Sequence, residues 1–304
     1  MRSRWRARSA AICVIRNAAD LVPVLCGHYL HAGFNRLEFL DDGSTDGTGE
    51  ILHRIAAATR KVIVRNNPLD VFDQRALINE MANRLIGDGY RIIFPFDCDE
   101  FWLVDVATLA KAIGPWSSDL VIRGKWANFV QMREHHVSTP AALADIRYRV
   151  AAEDAADMED VINWRRGFVS SQQSKSAVFS RSTVAFSKGQ HVLDEGPEAV
   201  HAEQFPILHV PLRSAGEILL RGQDHEPRRA MVRSSFIESW QSRFFAEALQ
   251  DGKADAVWRA NSADEHGQLD LPGGPVALVP DDRFRQTVAA ALQHLEAVTG
   301  LRFD

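Results

Sequence analysis

Two carboxylates two residues apart follow a short apolar run about one third of the way along the chain. Asp97 and Asp99 come directly after the apolar run 91–96. In an extended segment alternate side chains point to the same side, so both carboxylates would reach one cation. Carboxylate oxygens suit Mg²⁺ and Mn²⁺, which take their remaining ligands from water and substrate phosphates. Taken alone, the D-x-D pattern favours an acidic turn that merely ends a strand. Its place between FPF and FW, in line with two further polar clusters, favours a divalent-cation site.

Two further polar clusters follow earlier apolar runs. Arg16 and Asn17 come after the first such run, and Asp41 and Asp42 end the alternating run 36–42. A carboxylate at a strand end can accept from a base N–H or a ribose hydroxyl, and an asparagine offers a donor and an acceptor to a pyrimidine edge. The loop after Asp42 is rich in turn-forming residues, so most of it also fits an ordinary turn that caps a helix.

Three other groups are weighed for the same site. Gln74 and Asn79 lie in a predicted helix, where a solvated helix face is an equal alternative. His191 follows a Gly-Gln pair, and we weigh evenly whether it completes an octahedral shell beside Asp99 or is structural. A histidine flanked by apolar residues is more often part of a core, and we expect this of His209.

Alternating strand-like and helix-like runs predict how these residues are positioned. Strands are predicted at 11–15, 36–42, 61–65 and 91–96, with helices at 21–34, 49–59 and 73–86. This alternation predicts an α/β fold with a mostly parallel sheet, right-handed crossovers and flanking helices. In such a sheet ligands bind beyond the carboxyl ends of the strands. The three polar clusters all fall at that edge, and their coincidence is the main indication of an active site.

The alternation weakens in the second half of the chain. Residues 133–170 carry many charges and predict an irregular excursion or a helical lid, whereas two alternating runs on either side of Ser180 predict a hairpin. Helical spacing returns at Ser214 and ends in an amphipathic helix. We therefore expect one catalytic domain over 1–213 and a C-terminal helical extension over 214–304, packed on the same domain.

Composition excludes several classes of protein. Of the 304 residues, 46% are hydrophobic and 25% are charged, which is the mix of an ordinary globular chain and not of a disordered one. The net charge of −5 argues against a nucleic-acid binder. No run of about 18 apolar residues occurs, and the cysteines show no paired spacing. These features predict a cytoplasmic protein with at most peripheral contact with the inner face of the membrane.

The order of the motifs resembles that of a known family. The motifs are R-N-x₃-L from Arg16, H-Y-L-x₂-G-F, the loop DDGSTDGT, Gln74 with Asn79, and FDCDEF. This order is similar to that of the family 2-type glycosyltransferases, in the branch with a D-x-D-E-F signature. The segments KSAVFSRSTVAFSKGQH and ILHVPLRS resemble the same branch, in which a Lys, a His and an H-x-P-x-R-S stretch recur. The resemblance covers residues 11–220.

The resemblance implies a GT-A fold, a UDP- or GDP-sugar donor and a Mn²⁺ or Mg²⁺ ion. It implies that Asn17 and Asp42 hold the nucleoside with Asp41 beside them. It also implies that Asp97 approaches the ribose or the metal and that Asp99 ligates the metal. The nucleotide-binding set that we expect is Arg16, Asn17, Asp41, Asp42, Gln74 and Asn79. His191 takes the family's late metal-histidine position, and Lys175 and Arg213 take diphosphate or acceptor contacts.

Two departures from the family pattern concern acidic residues. The family's K-N-E is Arg16-Asn17-Ala18 here, so the expected glutamate is missing. The acidic base that would deprotonate the acceptor is not located by any motif. Two acidic pairs lie in a fitting part of the sequence, and we take Asp154 and Asp160 from them as candidate catalytic residues.

These observations predict a metal-dependent inverting glycosyltransferase. An acceptor hydroxyl would attack the anomeric carbon in one displacement while a carboxylate takes its proton and the cation stabilises the leaving diphosphate. The family resemblance implies an acceptor that is a saccharide or glycolipid of surface polysaccharide or glycolipid synthesis. One alternative is a nucleotidyltransferase, which ranks second because the first strand lacks a glycine-rich phosphate loop. The other is a non-catalytic carbohydrate-binding or scaffold protein that retains the fold.

Overall fold

Strands and helices alternate through the first half of the chain, as predicted. The computed structural model describes residues 7–67, 73–115, 117–135, 137, 139–154, 156, 158–162, 167–223, 240–270, 274 and 276–304. The strands are β1 (Ser9–Ile15), β2 (Arg36–Asp41), β3 (Val62–Asn66), β4 (Ile92–Pro95), β5 (Glu100–Trp102), β6 (Leu120–Val130), β7 (Tyr148–Val150), β8 (Ser174–Phe179), β9 (Ala185–Phe186), β10 (Leu193–Glu195), β11 (Val200–His209) and β12 (Leu278–Pro280). The helices are α1 (Val22–His31), α2 (Thr48–Ala58), α3 (Gln74–Gly87), α4 (Val106–Ile113), α5 (Met158–Ile162), α6 (Ala215–Gln223), α7 (Trp240–Gln250), α8 (Ala254–Asn261) and α9 (Arg283–Thr299).

The N-terminal strands form a parallel sheet in the order β3-β2-β1-β4. β1 lies between β2 and β4, and because both of its faces are covered it reads as a continuous apolar run. The register pairs Ile15 with Asp41 and Ile12 with Pro95. The carboxyl ends of β1, β2 and β4 therefore meet at one edge, and the polar residues that follow them lie there together. The predicted α/β fold with a parallel sheet flanked by helices is confirmed.

The second half of the chain extends this sheet with further strands. β8 pairs antiparallel with β4 and with β6, and β11 lies between β6, to which it is parallel, and β5, to which it is antiparallel. The predicted hairpin around Ser180 is wrong. The alternating pattern of β8 can pair with any neighbouring strand edge, and β8 lies between β4 and β6. β9 therefore pairs with β10 and not with β8.

The last helix packs against the first helix of the chain. Every residue of α1 from Val22 to Leu30 is buried, because the helix lies between the sheet and α9. Gly27 permits the close approach, since a Cβ there would lie 2.0 Å from the carbonyl oxygen of Ala291. Phe284 and Leu295 of α9 belong to the same core as β1. The predicted C-terminal helical segment is thus present, and its last helix completes the main core.

A smaller core lies beside the edge of the sheet where the polar clusters meet. Val161, Phe168 and Leu212 pack there with side chains of α6, α7 and α8. Within the ranges given above, no helix is long and apolar enough to cross a bilayer. This smaller core brings the C-terminal helices next to the site described below.

Candidate functional site

The loops after β1 and β2 are joined by hydrogen bonds. Asn17 has a positive φ of 49°, and its Oδ1 accepts from the Thr45 backbone N–H at 2.8 Å. Its own N–H donates to Ser44 Oγ at 3.0 Å, and the Arg16 guanidinium donates to the Asp42 carbonyl at 2.7 Å. The structure therefore brings Arg16, Asn17 and Asp42 together, as the sequence predicts, in a rigid loop pair.

The two aspartates at the end of β2 have different surroundings. Asp41 Oδ1 accepts from both the N–H and the hydroxyl of Ser44, at 2.9 and 2.6 Å. Gly49 is needed beside it, since a Cβ there would lie 2.9 Å from Asp41 Oδ2. Asp42 Oδ1 accepts from Asn67 Nδ2 at 2.7 Å. Asp41 thus orders the loop, and Asp42 lies one residue further out at the edge of the sheet.

The segment after β4 is a turn, and the extended conformation expected for it is wrong. The Glu100 N–H donates to the Asp97 carbonyl at 3.0 Å, which reverses the chain within three residues before β5 begins. Asp97 and Asp99 still line one pocket of about 80 Å³. Because a turn does not alternate its side chains as a strand does, the two carboxylates meet different partners.

Asp97 and its neighbours form the lysine side of the site, made of Gln74, Asp97, Glu100 and Lys175. Asp97 Oδ1 accepts from Gln74 Nε2 at 2.8 Å, and Asp97 Oδ2 accepts from Lys175 Nζ at 2.5 Å. The ammonium group also lies 2.9 Å from Glu100 Oε1. Lys175 is 1% exposed and Glu100 is fully buried, so these charges are compensated inside the protein.

The charges on the lysine side shift one another's pKa. Burial raises the pKa of Asp97, but the Lys175 ammonium outweighs it and holds that pKa below its usual range. Burial raises the pKa of Glu100 to about 8, with Lys175 acting in the opposite direction. Burial lowers the pKa of Lys175, and the two carboxylates more than reverse this effect. Lys175 therefore stays charged.

Asp99 faces the histidine side of the site, made of Asp99, Asn128, His209 and Arg221. Its Oδ2 lies 3.8 Å from His209 Nε2 and 3.8 Å from Arg221 Nη2. The His209 ring stacks on Trp126 with centroids 3.8 Å apart. β11 places His209 directly opposite Asn128 of β6, and their side chains meet at 2.7 Å between Nδ1 and Oδ1.

This contact fixes the tautomer of His209. An amide oxygen only accepts, so Nδ1 carries the proton and Nε2 presents a lone pair toward Asp99. Burial lowers the pKa of His209 well below its usual range, so the ring is neutral. Burial also raises the pKa of Asp99, with Arg221 acting against it. A lone pair and a carboxylate oxygen 3.8 Å apart thus face each other. A cation or the proton of a hydroxyl group could lie between them.

Arg213 brings a further cation close to this side. It is 4% exposed, with an ion pair at 2.6 Å to Asp20 and another at 2.9 Å to Glu217. Its Nη1 is buried and has no hydrogen-bond partner within the part of the chain that the structure describes. A buried guanidinium N–H without an acceptor is costly, and Arg213 itself does not line the pocket that Asp99 lines.

The structure does not bring Asn79 and His191 to the pocket. The Asn79 amide donates to the carbonyl of Phe186 and accepts from its N–H, at 3.0 and 2.7 Å, and so ties β9 to α3. His191 Nδ1 contacts the Ser174 carbonyl at 2.9 Å, and the ring does not line the pocket that Asp99 lines. Lys175, expected to contact a diphosphate, instead neutralises Asp97.

The two acidic base candidates lie in different places. Asp154 Oδ2 accepts from the Ala277 N–H at 2.7 Å and holds the segment before β12. Asp160 lies on α5, next to Val161, which packs with Phe168 in the smaller core. Phe168 itself lines the pocket, so α5 packs against a residue of the pocket wall.

Several residues of the site were not predicted as such. His209 is buried, as expected of a core residue, and it also lines the pocket and faces Asp99. Trp126 donates from Nε1 to Glu100 Oε1 at 2.8 Å, and Arg221 lines the pocket from α6. The usable signal for His209 was its place at the carboxyl end of β11, the same rule that identified the other clusters.

The donor set limits what kind of metal site the protein can form. No group of three or more His, Cys, Asp or Glu side chains suited to a metal occurs among the residues placed by the structure. Both Asp97 oxygens already accept hydrogen bonds, whereas Asp99 and neutral His209 face one another with Asn128 behind the imidazole. A carboxylate and an imidazole supported in this way fit Mn²⁺ or Mg²⁺ that takes its other ligands from phosphate and water.

Comparison with known proteins gives structural similarity but no sequence relative. No protein family matches the sequence, and no curated protein matches it significantly. Among solved structures, S. aureus TarS matches with a TM-score of 0.35 and 12% identity over 80% of this chain and 43% of that one, so the chain spans less than half of TarS. TarS 1-349 matches with 0.36 and 12%, over 80% and 70%. The mannosyltransferase PcManGT from Pyrobaculum calidifontis, solved with GDP-Man and Mn²⁺, matches with 0.36 and 16%, over 97% and 76%. Likeness at this level assigns neither an activity nor a residue role to this chain.

Proposed function

We propose that the chain transfers a sugar from a nucleotide diphosphate donor to an acceptor hydroxyl. The observation that carries the proposal is the juxtaposition of Asp99 and His209, 3.8 Å apart in a pocket at the carboxyl edge of the sheet. Arg221 lines the same pocket, and the Arg213 guanidinium is close enough to act electrostatically on Asp99. Such a pocket combines a cation-binding pair with guanidinium donors, which is the chemistry that a diphosphate requires.

Asp99 and His209 are the residues that would hold a divalent cation. When bound, Mn²⁺ or Mg²⁺ would neutralise charge that develops on the leaving diphosphate. Asn128 keeps the His209 lone pair aimed at the pocket, and Trp126 keeps the ring in place. On the lysine side, Lys175 keeps Asp97 ionised and fixed in place without an outside cation.

The donor's phosphates would lie against Arg213 and Arg221. Arg221 is 31% exposed and lines the pocket, while Arg213 is held by Asp20 and Glu217 and its Nη1 has no partner among the described residues. Guanidinium groups bind phosphate oxygens by two parallel hydrogen bonds, and preorganised arginines need little reordering on binding. The arginine pair therefore supports a diphosphate in preference to a single neutral ligand.

The nucleoside would lie over the joined loops after β1 and β2. Asn17 and Asp42 are held there by Thr45, Ser44 and Asn67. We assign them, with Arg16 and Asp41, to the nucleoside half of the site, as the resemblance to family 2-type glycosyltransferases implies.

Acceptor activation is assigned to Asp160. An inverting displacement needs one carboxylate to take the proton of the attacking hydroxyl. Asp160 lies on α5, which packs beside the pocket through Val161 and the pocket-lining Phe168. We propose a saccharide or glycolipid acceptor, presented at the cytoplasmic face of a membrane.

A donor screen tests the proposal. Thermal unfolding is measured with UDP and GDP, each with and without Mn²⁺, because binding to the native state raises the melting temperature. Hydrolysis of UDP- and GDP-sugars is then compared between the wild type and Asp99→Asn, with exposed Asp145→Asn as the matched control. We expect one nucleotide to stabilise the protein more with Mn²⁺, and Asp99→Asn alone to lose about 100-fold in turnover.

Three results would contradict the proposal. Undiminished turnover in Asp99→Asn would remove the role of the histidine side. Release of pyrophosphate from a nucleoside triphosphate and a sugar phosphate would instead identify a nucleotidyltransferase. Saccharide binding without any nucleotide-dependent stabilisation would identify a binding or scaffold protein.

A further inference from the structure

A second cavity lies beside the pocket of Asp97 and Asp99. It has a volume of about 290 Å³, near the lower end of the range for small-molecule sites. We call it the basic cleft, and its defining residues are Lys125, Arg149, Gln172, Gln204 and Arg283. Trp126 and Ser171 line both cavities. A ligand in the basic cleft would therefore lie directly next to one in the pocket.

The basic cleft has an excess of positive charge. Arg149 and Arg283 share the single carboxylate of Asp281, at 2.8 and 2.5 Å. Lys125 is exposed and has no ion pair within the ranges that the structure places. The cleft thus has three cationic side chains, of which two share the carboxylate of Asp281. The described lining contains no acidic side chain. This is unusual in a chain whose net charge is −5.

The remaining lining suits a sugar ring. Gln172 and Gln204 offer amide donors and acceptors for hydroxyl groups, and Trp126 and Phe205 add apolar surface. Asn128 also lines the cleft and binds His209 of the pocket through its Oδ1. The cleft therefore reaches the point where the proposed transfer takes place.

We infer that the basic cleft binds the acceptor, and that the acceptor sugar carries a negative charge, as a carboxylate or a phosphate group. The inference rests on the proposed function only where it calls the bound sugar the acceptor. The binding of an anionic sugar in this cleft is a separate claim, because it needs neither a nucleotide nor a cation. Lys125 would be the residue that selects the charged sugar, since it has no ion pair to break among the residues that the structure describes.

Calorimetric titration of the full chain tests the inference without turnover. The ligands are glucuronate, glucose 6-phosphate and glucose, with acetate and inorganic phosphate as anions that lack a ring. The variants are Lys125→Gln and Arg283→Gln, with Lys111→Gln as the matched control, because Lys111 is exposed on α4 and does not line the cleft. Arg283→Gln leaves Arg149 on Asp281, so that carboxylate keeps a partner.

We expect one of the two charged sugars to bind about tenfold more tightly than glucose and than the matching small anion. Lys125→Gln should weaken that binding about threefold to tenfold, and Lys111→Gln should leave it unchanged. Preference for glucuronate assigns a carboxylate, and preference for glucose 6-phosphate assigns a phosphate.

Equal binding of glucose and both charged sugars would overturn the inference, and so would equal effects of Lys125→Gln and Lys111→Gln. Tight binding of acetate or phosphate alone would also overturn it, since the ring would then contribute nothing. Nucleotide binding, measured separately, decides the proposed function. If a charged sugar binds and no nucleotide does, the proposal for the basic cleft is upheld and the proposed transferase function is rejected.

Discussion

The two sides of the pocket treat their carboxylates in opposite ways. On the lysine side, Asp97 is bound by Gln74 and by the buried ammonium of Lys175. On the histidine side, the contacts of the Asp99 carboxylate with described side chains are longer, at 3.8 Å to His209 and to Arg221. One carboxylate is thus saturated by the protein, and the other is left for a ligand.

This difference separates positioning from binding. Removing one partner from a group of buried, paired charges is strongly destabilising, so a buried lysine between two carboxyl groups holds the turn after β4 in place. A carboxylate that faces a neutral imidazole is costly to keep, and a bound cation would remove that cost. Two aspartates that look equivalent as a D-x-D motif therefore have separate roles.

The largest expected effect comes from removing the internal cation. Lys175→Met removes the counter-charge of the ionised Asp97 and a partner of the buried Glu100, and should lower the free energy of unfolding by about 3–5 kcal/mol at pH 7. Urea denaturation measures this loss. Lys111→Met, at an exposed position, is the control and should change little. A loss below about 1 kcal/mol for Lys175→Met would show that the lysine side is not a compensated buried cluster.

The two histidines should differ next. His209→Phe keeps the stack on Trp126 but removes the lone pair that faces Asp99, and donor hydrolysis should fall about 10- to 100-fold. His191→Phe is the matched variant. Its rate of donor hydrolysis should fall less than about twofold, because His191 contacts the Ser174 carbonyl. Equal losses of donor hydrolysis in both variants would show that His191 belongs to the functional site.

Smaller effects on stability, which depend on pH, should distinguish Asp97 from Asp99. The pKa of Asp97 is lowered in the folded protein, so its charge stabilises the fold above its unfolded pKa and loses that effect as pH falls through the folded value. The pKa of Asp99 is raised, so its charge costs stability once pH rises above the unfolded value. At pH 7, Asp97→Asn should lose about 1–2 kcal/mol and Asp99→Asn should gain stability.

The Asp99 difference should shrink as pH falls toward about 4, near the ordinary pKa of aspartate, whereas the Asp97 difference should persist there and shrink only at lower pH. Urea denaturation of the two variants and the wild type at pH 7, at about pH 4 and at about pH 3 measures both differences. A loss of stability in Asp99→Asn at pH 7 would mean that Asp99 has a stabilising partner, and the contrast between the two sides would fail.

The parallel sheet and its polar edge were predictable from the sequence. The spacing of apolar runs predicted β1 to β4 and the helices between them, because strands and helices have different periods. The rule that ligands bind at the carboxyl ends of strands then brought Asn17, Asp42 and Asp97 to one edge. Each of these steps depends on residues close together in the sequence.

The partners across the pocket were not predictable in the same way. Lys175 lies 78 residues from Asp97, and His209 meets Asn128 across 81 residues. These contacts depend on how β8 and β11 fit between other strands, and strand order is not encoded in local periodicity. His209 has the apolar flanks of a core residue and is buried like one, so only its partner distinguishes it.

Binding of Mn²⁺ to the two aspartate variants tests the central claim most directly. Electron paramagnetic resonance reports free Mn²⁺ in titrations of the wild type, Asp97→Asn and Asp99→Asn, each with the nucleoside diphosphate that stabilises the wild type most. We predict that Asp99→Asn weakens Mn²⁺ binding at least about tenfold and that Asp97→Asn stays within about threefold of the wild type. Equal losses in both variants, or a loss in Asp97→Asn alone, would contradict the assignment of the cation to Asp99 and His209.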